Sequence, residues 1–437
     1  MNKTEMVLYG TGQSTIMDAI WQLEECRRNG NDKEKHRAIY STFIKELIQF
    51  AHTYGFHGNL YHGYLTHFIV TDENPFSYGC ERHGQEIGNL QQLAEEDCRI
   101  WQWYYAYDFK ALDELFETSY AEVLTTYEPS NVGASCYPDD VVRAIGQLSV
   151  KLASCREVKD FIHSIKGFYN TYGVGQMGLH MAFRIGRKGQ EVALEPIAQV
   201  EQVGLEDLIG YDIPKQKLIE NTESFLTGKK ANNCLLFGDA GTGKSSSIKG
   251  ILNEYYSQGL RMIEVYKHEF QSLNDVVALI RNRNYKFIIY MDDLSFEEFE
   301  IDYKYLKAVI EGGLEDKADN VLIYATSNRR HLIRENFRDK EEYHEDLHGS
   351  DTVQEKLSLA ARFGVSIYFG APNRKEFHAI VKGLAKRYHL EKSEEELCME
   401  ANQWELAHGG LSGRTAQQFM NYLLGKQGIK ESEEHGN

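Results

Sequence analysis

The chain has 437 residues, more than one ordinary domain of ~100–200 residues holds, so two or three domains are expected. Its 48 Lys and Arg stand against 65 Asp and Glu, a net charge of −17. That balance argues against a generic nucleic-acid binder, because affinity for phosphate backbone comes from clustered cations, and any such contact has to be a local exception. No apolar run approaches the ~18 residues of a membrane span, and no basic stretch followed by an apolar one opens the chain as a secretory signal would. The seven cysteines are odd in number and lack a C-x-x-C pair, so reduced thiols in the cytoplasm are the expectation.

Residues 1–190 read as a mainly α-helical domain, with apolar side chains at three- and four-residue steps in segments such as Leu112, Leu115, Phe116 and Tyr120. Loops are marked near Asn74–Pro75, Glu128–Pro129 and Tyr137–Pro138. Within this region, residues 51–142 carry only Arg82, Arg99 and Lys110 against 15 acids, together with 17 aromatic residues that include Trp101, Trp103, Tyr104, Tyr105 and Tyr107. Most of those aromatics are expected to fill a helical core while the acids face water. A basic protein partner for this acidic, aromatic window is the functional alternative. His57, His62, His67, Cys80 and His83 fit no tight metal-ligand spacing and read as ordinary histidines and thiol.

The stretch from Ile185 to Gly204 holds three glycines and Pro196 without a helical period, and is read as the interdomain connection, with 191–204 as its linker. Residues 205–372 then alternate short apolar runs with helix-length segments. Cys234–Gly238, Arg261–Lys267, Lys286–Asp292, Asn320–Ser327 and Val365–Gly370 are expected as parallel strands joined by crossover helices. Residues 373–426 read as a helical region, with apolar stripes at Phe377, Ile380, Val381, Leu384 and at Ala416, Phe419, Met420, Leu423; residues 427–437 are expected to form a polar tail.

Directly after the first of these strands, Gly238-Asp239-Ala240-Gly241-Thr242-Gly243-Lys244-Ser245 fits G-x-x-x-x-G-K-[ST] at every fixed position. Glycines let the backbone wrap around phosphates and aim its N–H groups inward, and the helix beginning near Lys244 points its positive dipole end at the same charge. Lys244 would neutralise β- and γ-phosphate oxygens and the Ser245 hydroxyl would complete a Mg²⁺ sphere, with Ser246 next in the cradle. A nucleotide bound together with Mg²⁺ is therefore expected.

The run Lys286-Phe287-Ile288-Ile289-Tyr290-Met291 delivers Asp292 and Asp293 at its carboxyl end, where ligands collect in open parallel sheets. Asp292 would hold the metal through water, opposite Ser245. Asp293, pointing elsewhere because side chains alternate along a strand, could orient or deprotonate an attacking water. By themselves the two acids could equally cap a strand-to-helix turn; their position after a phosphate loop favours the catalytic role.

This series of motifs resembles the AAA+ ATPase superfamily, and more closely a bacterial AAA+ family catalogued mainly as a domain of unknown function, from about Leu205 to Leu424. The resemblance implies a five-stranded parallel sheet in the order 5-1-4-3-2 followed by a helical lid. It implies that Leu205–Tyr211 lines an adenine pocket through Ile209 and Gly210, and that Val321–Asn328 is a sensor 1 strand whose Asn328 meets the γ-phosphate or the attacking water. It further implies that Glu355–Gly364 presents Arg362 as an arginine finger to a neighbouring subunit, in a nucleotide-dependent homo-oligomer, and that Arg414 in Gly410–Arg414 acts as sensor 2. Arg329 and Arg330 follow sensor 1 without a firm role. The superfamily usually has Glu where this chain has Asp293, one methylene shorter, so slow hydrolysis is expected. The leading function is a Mg²⁺-dependent ATPase that couples nucleotide state to remodelling of a macromolecular partner. The alternative is a nucleotide-gated adaptor that binds ATP with little hydrolysis.

Overall fold

A computed structural model describes residues 6–10, 14–30, 32–83, 88–129, 136–296, 302–311, 318–328, 332 and 359–434. The chain divides into two units, one of Met1–Met181 with Pro196–Gln199 and the other of Ala182–Glu195 with Val200–Asn437.

The first unit is helical, and its helices start and stop where local chemistry dictates. Ser14 and Asn59 each accept a backbone N–H, from Met17 and His62, and so cap the helices Thr15–Asn29 and Leu60–Thr71. Gly30 and Gly55 end Thr15–Asn29 and Lys33–Tyr54 in the left-handed conformation that glycine adopts without a Cβ clash. Leu90–Tyr105, Asp139–Ser154 and Val158–Tyr172 carry strong apolar faces, and Trp101, Tyr61, Tyr169, Phe76 and Phe161 are all buried in the core they share. Much of the aromatic content of residues 51–142 is thus consumed in packing. Two of its acids are structural as well. Asp97 is buried and accepts the N–H groups of Val7, Leu8 and Tyr9 at 2.7 to 3.3 Å. Asp113 accepts from Tyr40 Oη, Thr118 Oγ1, Tyr120 N and Ala121 N.

The histidines are occupied in ordinary ways. His62 Nε2 donates to the Tyr105 carbonyl at 2.9 Å, and His67 Nε2 lies 2.7 Å from Tyr137 Oη among the rings of Phe50, Tyr54 and Phe56. Among the described residues no group of three or more His, Cys, Asp or Glu side chains is placed to hold a metal; the side chain of His83 lies outside them.

The second unit is built on a seven-stranded sheet, β1 Ala182–Lys188, β2 Glu191–Pro196, β3 Cys234–Gly238, β4 Leu260–Glu264, β5 Lys286–Met291, β6 Val321–Ser327 and β7 Val365–Phe369, in the order β2-β1-β4-β5-β6-β3-β7. The five strands from β7 to β4 reproduce the order 5-1-4-3-2, and each neighbouring pair among them is parallel. Five strands are not the whole sheet. The end of the region read as helical and the stretch read as the interdomain connection together supply β1, which pairs in parallel with β4 from Ala182↔Met262 to Arg184↔Glu264, and β2, which follows through the turn at Gly189 and Gln190. β1 opens on the buried Ala182 and Phe183, and beyond them both strands mix apolar with charged side chains that are half-buried or exposed, as suits a sheet margin blunted by charge, and so they lack the long apolar run that marks a central strand. β5 and β6 are buried along nearly their whole length, which is why they read as continuous apolar runs.

The lid comprises Arg374–Arg387, Glu394–Ala407 and Gly413–Glu434, packed around Phe377, Ile380, Val381, Leu384, Phe419 and Met420. Asn373 caps the first of these helices, accepting from Lys375 N and Glu376 N while Glu376 returns the bond to Asn373 N, a full capping box. Among the described residues no helix is long and apolar enough to cross a membrane, and all seven cysteines are free.

His67 offers a test of the helical core. Burial first, and then the nearby His180, push its pKa down to about 3. The folded value lies below the unfolded one near 6.5, so the unfolded chain takes up the proton first and stability is lost as pH falls from about 6.5 towards 3. We expect His67→Gln to flatten the acid side of a urea-unfolding pH profile by at most ~1.4 kcal/mol per pH unit. An unchanged slope would show that His67 does not carry it.

Candidate functional site

The phosphate loop is held open by its glycines and tied down at both ends. Gly238, Gly241 and Gly243 have φ values of 136°, 74° and 86°, in the region that favours glycine. A Cβ on Gly238 would stand 2.1 Å from the Phe369 carbonyl oxygen, because the end of β3 lies against the end of β7. Asp239 N donates to that same carbonyl at 3.0 Å, and its Oδ2 accepts from Ala371 N at 2.7 Å, fixing the loop to the segment that leads into the lid. On the other side Arg414 N donates to Gly241 O at 3.1 Å. The start of helix Gly413–Glu434 therefore rests directly on the loop, with Ser412 capping it through Thr415 N.

Helix Lys244–Tyr255 follows the loop without interruption. Lys244 is buried and its Nζ donates to Gly238 O at 3.0 Å, to Asp239 O at 2.6 Å and to Asn328 Oδ1 at 3.0 Å. Burial lowers its pKa from the usual lysine value, with Arg414 adding to the effect and Asp239, Asp293 and Asp292 opposing it. Ser245 Oγ donates to Asp292 Oδ1 at 2.7 Å.

The two carboxylates at the end of β5 diverge. Asp292 faces Ser245 and Thr326, whose Oγ1 donates to Asp292 Oδ1 at 2.5 Å. Burial opposes ionisation of Asp292, yet the hydrogen bonds from Thr326 and Ser245 outweigh it and hold the carboxyl below its ordinary pKa. Asp293 has φ 50°, a left-handed turn that swings its side chain away from its neighbour's direction. Its N–H donates to Thr326 Oγ1 at 2.9 Å, and its Oδ1 accepts from Asn328 Nδ2 at 2.8 Å.

These groups line one cavity of about 790 Å³, within the range of small-molecule sites. Its phosphate end is formed by Ala240 to Ser246, Asp292, Asp293, Asn328 and Arg414, and its other end by apolar and mixed side chains, among them Leu208, Ile209, Tyr211, Leu384 and Tyr388. Ile209 is wedged on the lid: a Cβ on Gly383 would meet its Cδ1 at 2.5 Å. Gly210 and Tyr211 both take positive φ, at 82° and 58°, where the chain turns into helix Asp212–Leu226. Arg362 does not join this cavity. It pairs through Nε with Glu311 of helix Tyr303–Glu311. Arg329, Arg330 and residues 355–358 lie outside the described residues.

Sequence reading did not assign Thr326, Tyr388, Leu384 or Gln417 to the site, yet they also line the cavity. Thr326 carried a usable signal, since it lies two residues before Asn328 on a strand and therefore on the same face. The lid residues carried none, because a stripe that lines a ligand and a stripe that lines a core have the same period.

The donor set suits both expected cofactors. A hydroxyl and a carboxylate 2.7 Å apart are hard oxygen ligands of the kind Mg²⁺ takes, and Mg²⁺ usually adds substrate phosphates and water to only one or two carboxylates from the protein. A glycine loop closed by a lysine and a helix N-terminus suits a nucleotide triphosphate tail.

Fold and site together are those of an AAA+ P-loop NTPase core preceded by a helical unit. The family described as "Protein of unknown function (DUF815)" matches residues 178–427, more than half the chain, and the chain belongs to it. It is 34% identical over 76 residues to the replication factor C large subunit of Staphylothermus marinus, a match that covers 17% of either protein. It also aligns with a Thermogota maritima RuvB mutant at 14% identity and a TM-score of 0.33, over 51% of this chain and 73% of that one.

Gly238→Ala tests the cradle. The added methyl has to displace main chain rather than a flexible side chain, so a loss of ~1–3 kcal/mol in a urea-unfolding measurement is expected. Wild-type stability in this variant would mean that β3 and β7 do not approach so closely.

Proposed function

We propose that the protein is a Mg²⁺-dependent ATPase whose nucleotide state sets the angle between the sheet and the lid and so remodels a macromolecular partner. The observation that carries this reading is the continuous hydrogen-bonded path from Ser245 through Asp292, Thr326, Asp293 and Asn328 to Lys244, laid along the mouth of a cavity that the lid also lines. Such a path ties a metal-ligating pair, a candidate base and a phosphate-binding cation into one rigid arrangement, and positioning with electrostatic stabilisation is nearly all that phosphoryl transfer asks of a protein.

In this mechanism Ala240 to Ser246 wrap the phosphates with main-chain N–H groups, and Lys244 exchanges its carbonyl partners for phosphate oxygens. Ser245 and Asp292 would hold Mg²⁺, which would supply positive charge against the phosphates. Asp293 orients the attacking water and takes its proton, while Asn328, able to donate and accept, fixes the direction of the Asp293 carboxylate. Arg414, at the first turn of the lid helix, sits over the phosphates and converts their presence or absence into lid position. Ile209 and Gly210 border the nucleobase. Arg362, turned away from its own cavity, serves as a finger for the ATP of a neighbouring copy in a nucleotide-dependent oligomer.

A second reading, the adaptor that binds ATP with little turnover, is favoured by the shortness of Asp293 and by its engagement with Asn328. In either reading the helical unit supplies recognition, with the acids of residues 51–142 that the fold does not use facing a basic protein partner in the cytoplasm.

Lys244→Ala is expected to abolish ATP binding measured by titration calorimetry or a fluorescent analogue, and binding equal to wild type would sink the nucleotide reading. Arg362→Ala should retain ATP affinity and lose at least ~10-fold in turnover, whereas full activity in a strictly monomeric preparation would remove the finger. Single-turnover hydrolysis separates the two readings. A wild-type rate at least ~100-fold above that of Asp293→Asn supports the ATPase, and equal negligible rates support the adaptor.

A further inference from the structure

The hydroxyl of Thr326 occupies a position that the roles assigned to the site leave unexplained. It sits near the carboxyl end of β6, between the two acids that end β5, and its side chain is 2% exposed. A hydroxyl has one proton, and the two partners here dictate where it goes. Asp292, whose carboxyl is held ionised, can only accept, and the backbone N–H of Asp293 can only donate. Thr326 Oγ1 must therefore give its proton to Asp292 Oδ1, at 2.5 Å, and receive the Asp293 N–H, at 2.9 Å. No freedom of rotation is left in that side chain.

We infer that Thr326 is the positioning residue of the acid pair: through one hydroxyl it aims the metal-facing carboxylate of Asp292 at Ser245 and holds Asp293 in the left-handed turn that directs its carboxylate to Asn328.

Three features carry this. First, the bond to Asp292 and the bond from Ser245 converge on the same oxygen, Asp292 Oδ1, so Thr326 fixes the rotamer of the carboxylate group that Ser245 shares. Outer-layer hydrogen bonds of this kind orient metal ligands. Second, a non-glycine residue at φ 50° is held in a sparsely populated conformation, which persists only where the surroundings impose it. The Asp293 N–H bond to Thr326 and the Leu294 N bond to Thr326 O at 2.7 Å are the restraints that flank that turn. One residue thus grips the bend from both sides through its side chain and its main chain. Third, Thr326 is set by register, not by a flexible loop. It pairs with Leu236 of β3, two residues before Gly238, while its neighbour Ala325 pairs with Met291 of β5, the residue before Asp292. Its hydroxyl is thereby carried on the rigid strand that connects the phosphate loop to the acids.

The inference rests on the nucleotide-binding reading of the site, and the test separates the two. Mg²⁺ dependence of binding of a fluorescent ATP analogue is measured for wild type, Thr326→Val and Thr326→Ser, with affinity in EDTA and thermal midpoint as controls. Thr326→Val keeps shape and removes the hydroxyl. It is expected to raise the Mg²⁺ concentration for half-maximal binding by ~10–100-fold, the usual scale for losing an outer-layer partner, while affinity in EDTA stays within about threefold of wild type. Thr326→Ser, which keeps the hydroxyl, is expected to restore the Mg²⁺ dependence. A role in packing alone predicts the opposite ranking, since serine removes a buried methyl and valine does not. Should Thr326→Val fail to fold, Thr326→Ala gives the same comparison against Thr326→Ser. If wild type binds the analogue and the hydroxyl-free variant shows unchanged Mg²⁺ dependence, or if the serine variant is as impaired as the valine one, the inference is overturned alone. A wild-type protein that binds no analogue with or without Mg²⁺ overturns the nucleotide reading and the inference together.

Discussion

The central place of β6 is the constraint on which the site depends. It pairs in parallel with β5 on one side and β3 on the other, placing Met291 beside Ala325 and Phe237 beside Ser327. Both partners end at the level where β6 ends. One begins the phosphate loop and the other delivers Asp292 and Asp293, so groups separated by 47 residues, Ser245 and Asp292, meet at 2.7 Å. A shift of β6 by one residue would turn every side chain to the opposite face and carry Thr326 and Asn328 away from the acids. The registers on its two sides are secured by side chains that are buried on both faces of the sheet, each worth ~1.5–3 kcal/mol when withdrawn from water. The chemistry is thus underwritten by the hydrophobic core rather than by the loops that carry it.

The same principle explains why the lid belongs to the site. Its own core of Phe377, Leu384, Phe419 and Met420 makes it a body that can be positioned as a whole. Three contacts tie it, or the segment that leads into it, to the rest of the unit near the site: Arg414 N on Gly241 O, Ala371 N on Asp239, and Ile209 against Gly383. Two of these three involve the phosphate loop itself. In the proposed mechanism, a loop that exchanges its carbonyl partners for phosphate would alter what the lid rests on, and that would couple nucleotide to lid angle.

How much of this was legible in the sequence follows from how local each feature is. The phosphate loop and the acid pair are short patterns whose chemistry demands particular residues at fixed spacing, and β3 and β5 are buried strands with continuous apolar runs; all could be read. β1 and β2 could not, because Arg184, Lys188, Glu191 and Glu195 break up the apolar content of strands that lie at the margin of the sheet. Their place in the sheet is decided by the pairing of β1 with β4, a partner more than seventy residues further along, with β2 added outside β1. The acidic window misled in a different way. Asp97 and Asp113 count as surface charge in a composition, yet each is spent on three or four hydrogen bonds within the fold. Which acids remain for a partner is a tertiary question.

The departure at Asp293 acquires a sharper meaning from its backbone. A shorter carboxylate in an ordinary extended conformation would fall short of the position that glutamate reaches. Here φ is 50°, so the chain turns and the side chain leaves the strand in a different direction, ending 2.8 Å from the Asn328 amide. The turn, and not the length of the side chain, thus sets the direction in which this carboxylate points. Glycine would adopt that turn readily but has no carboxylate, and a β-branched residue would resist it. Aspartate, among the non-glycine residues that tolerate the left-handed region best, is the acid that satisfies both requirements, provided its neighbours hold the turn. That proviso moves part of the catalytic geometry from the acid itself to the strand beside it.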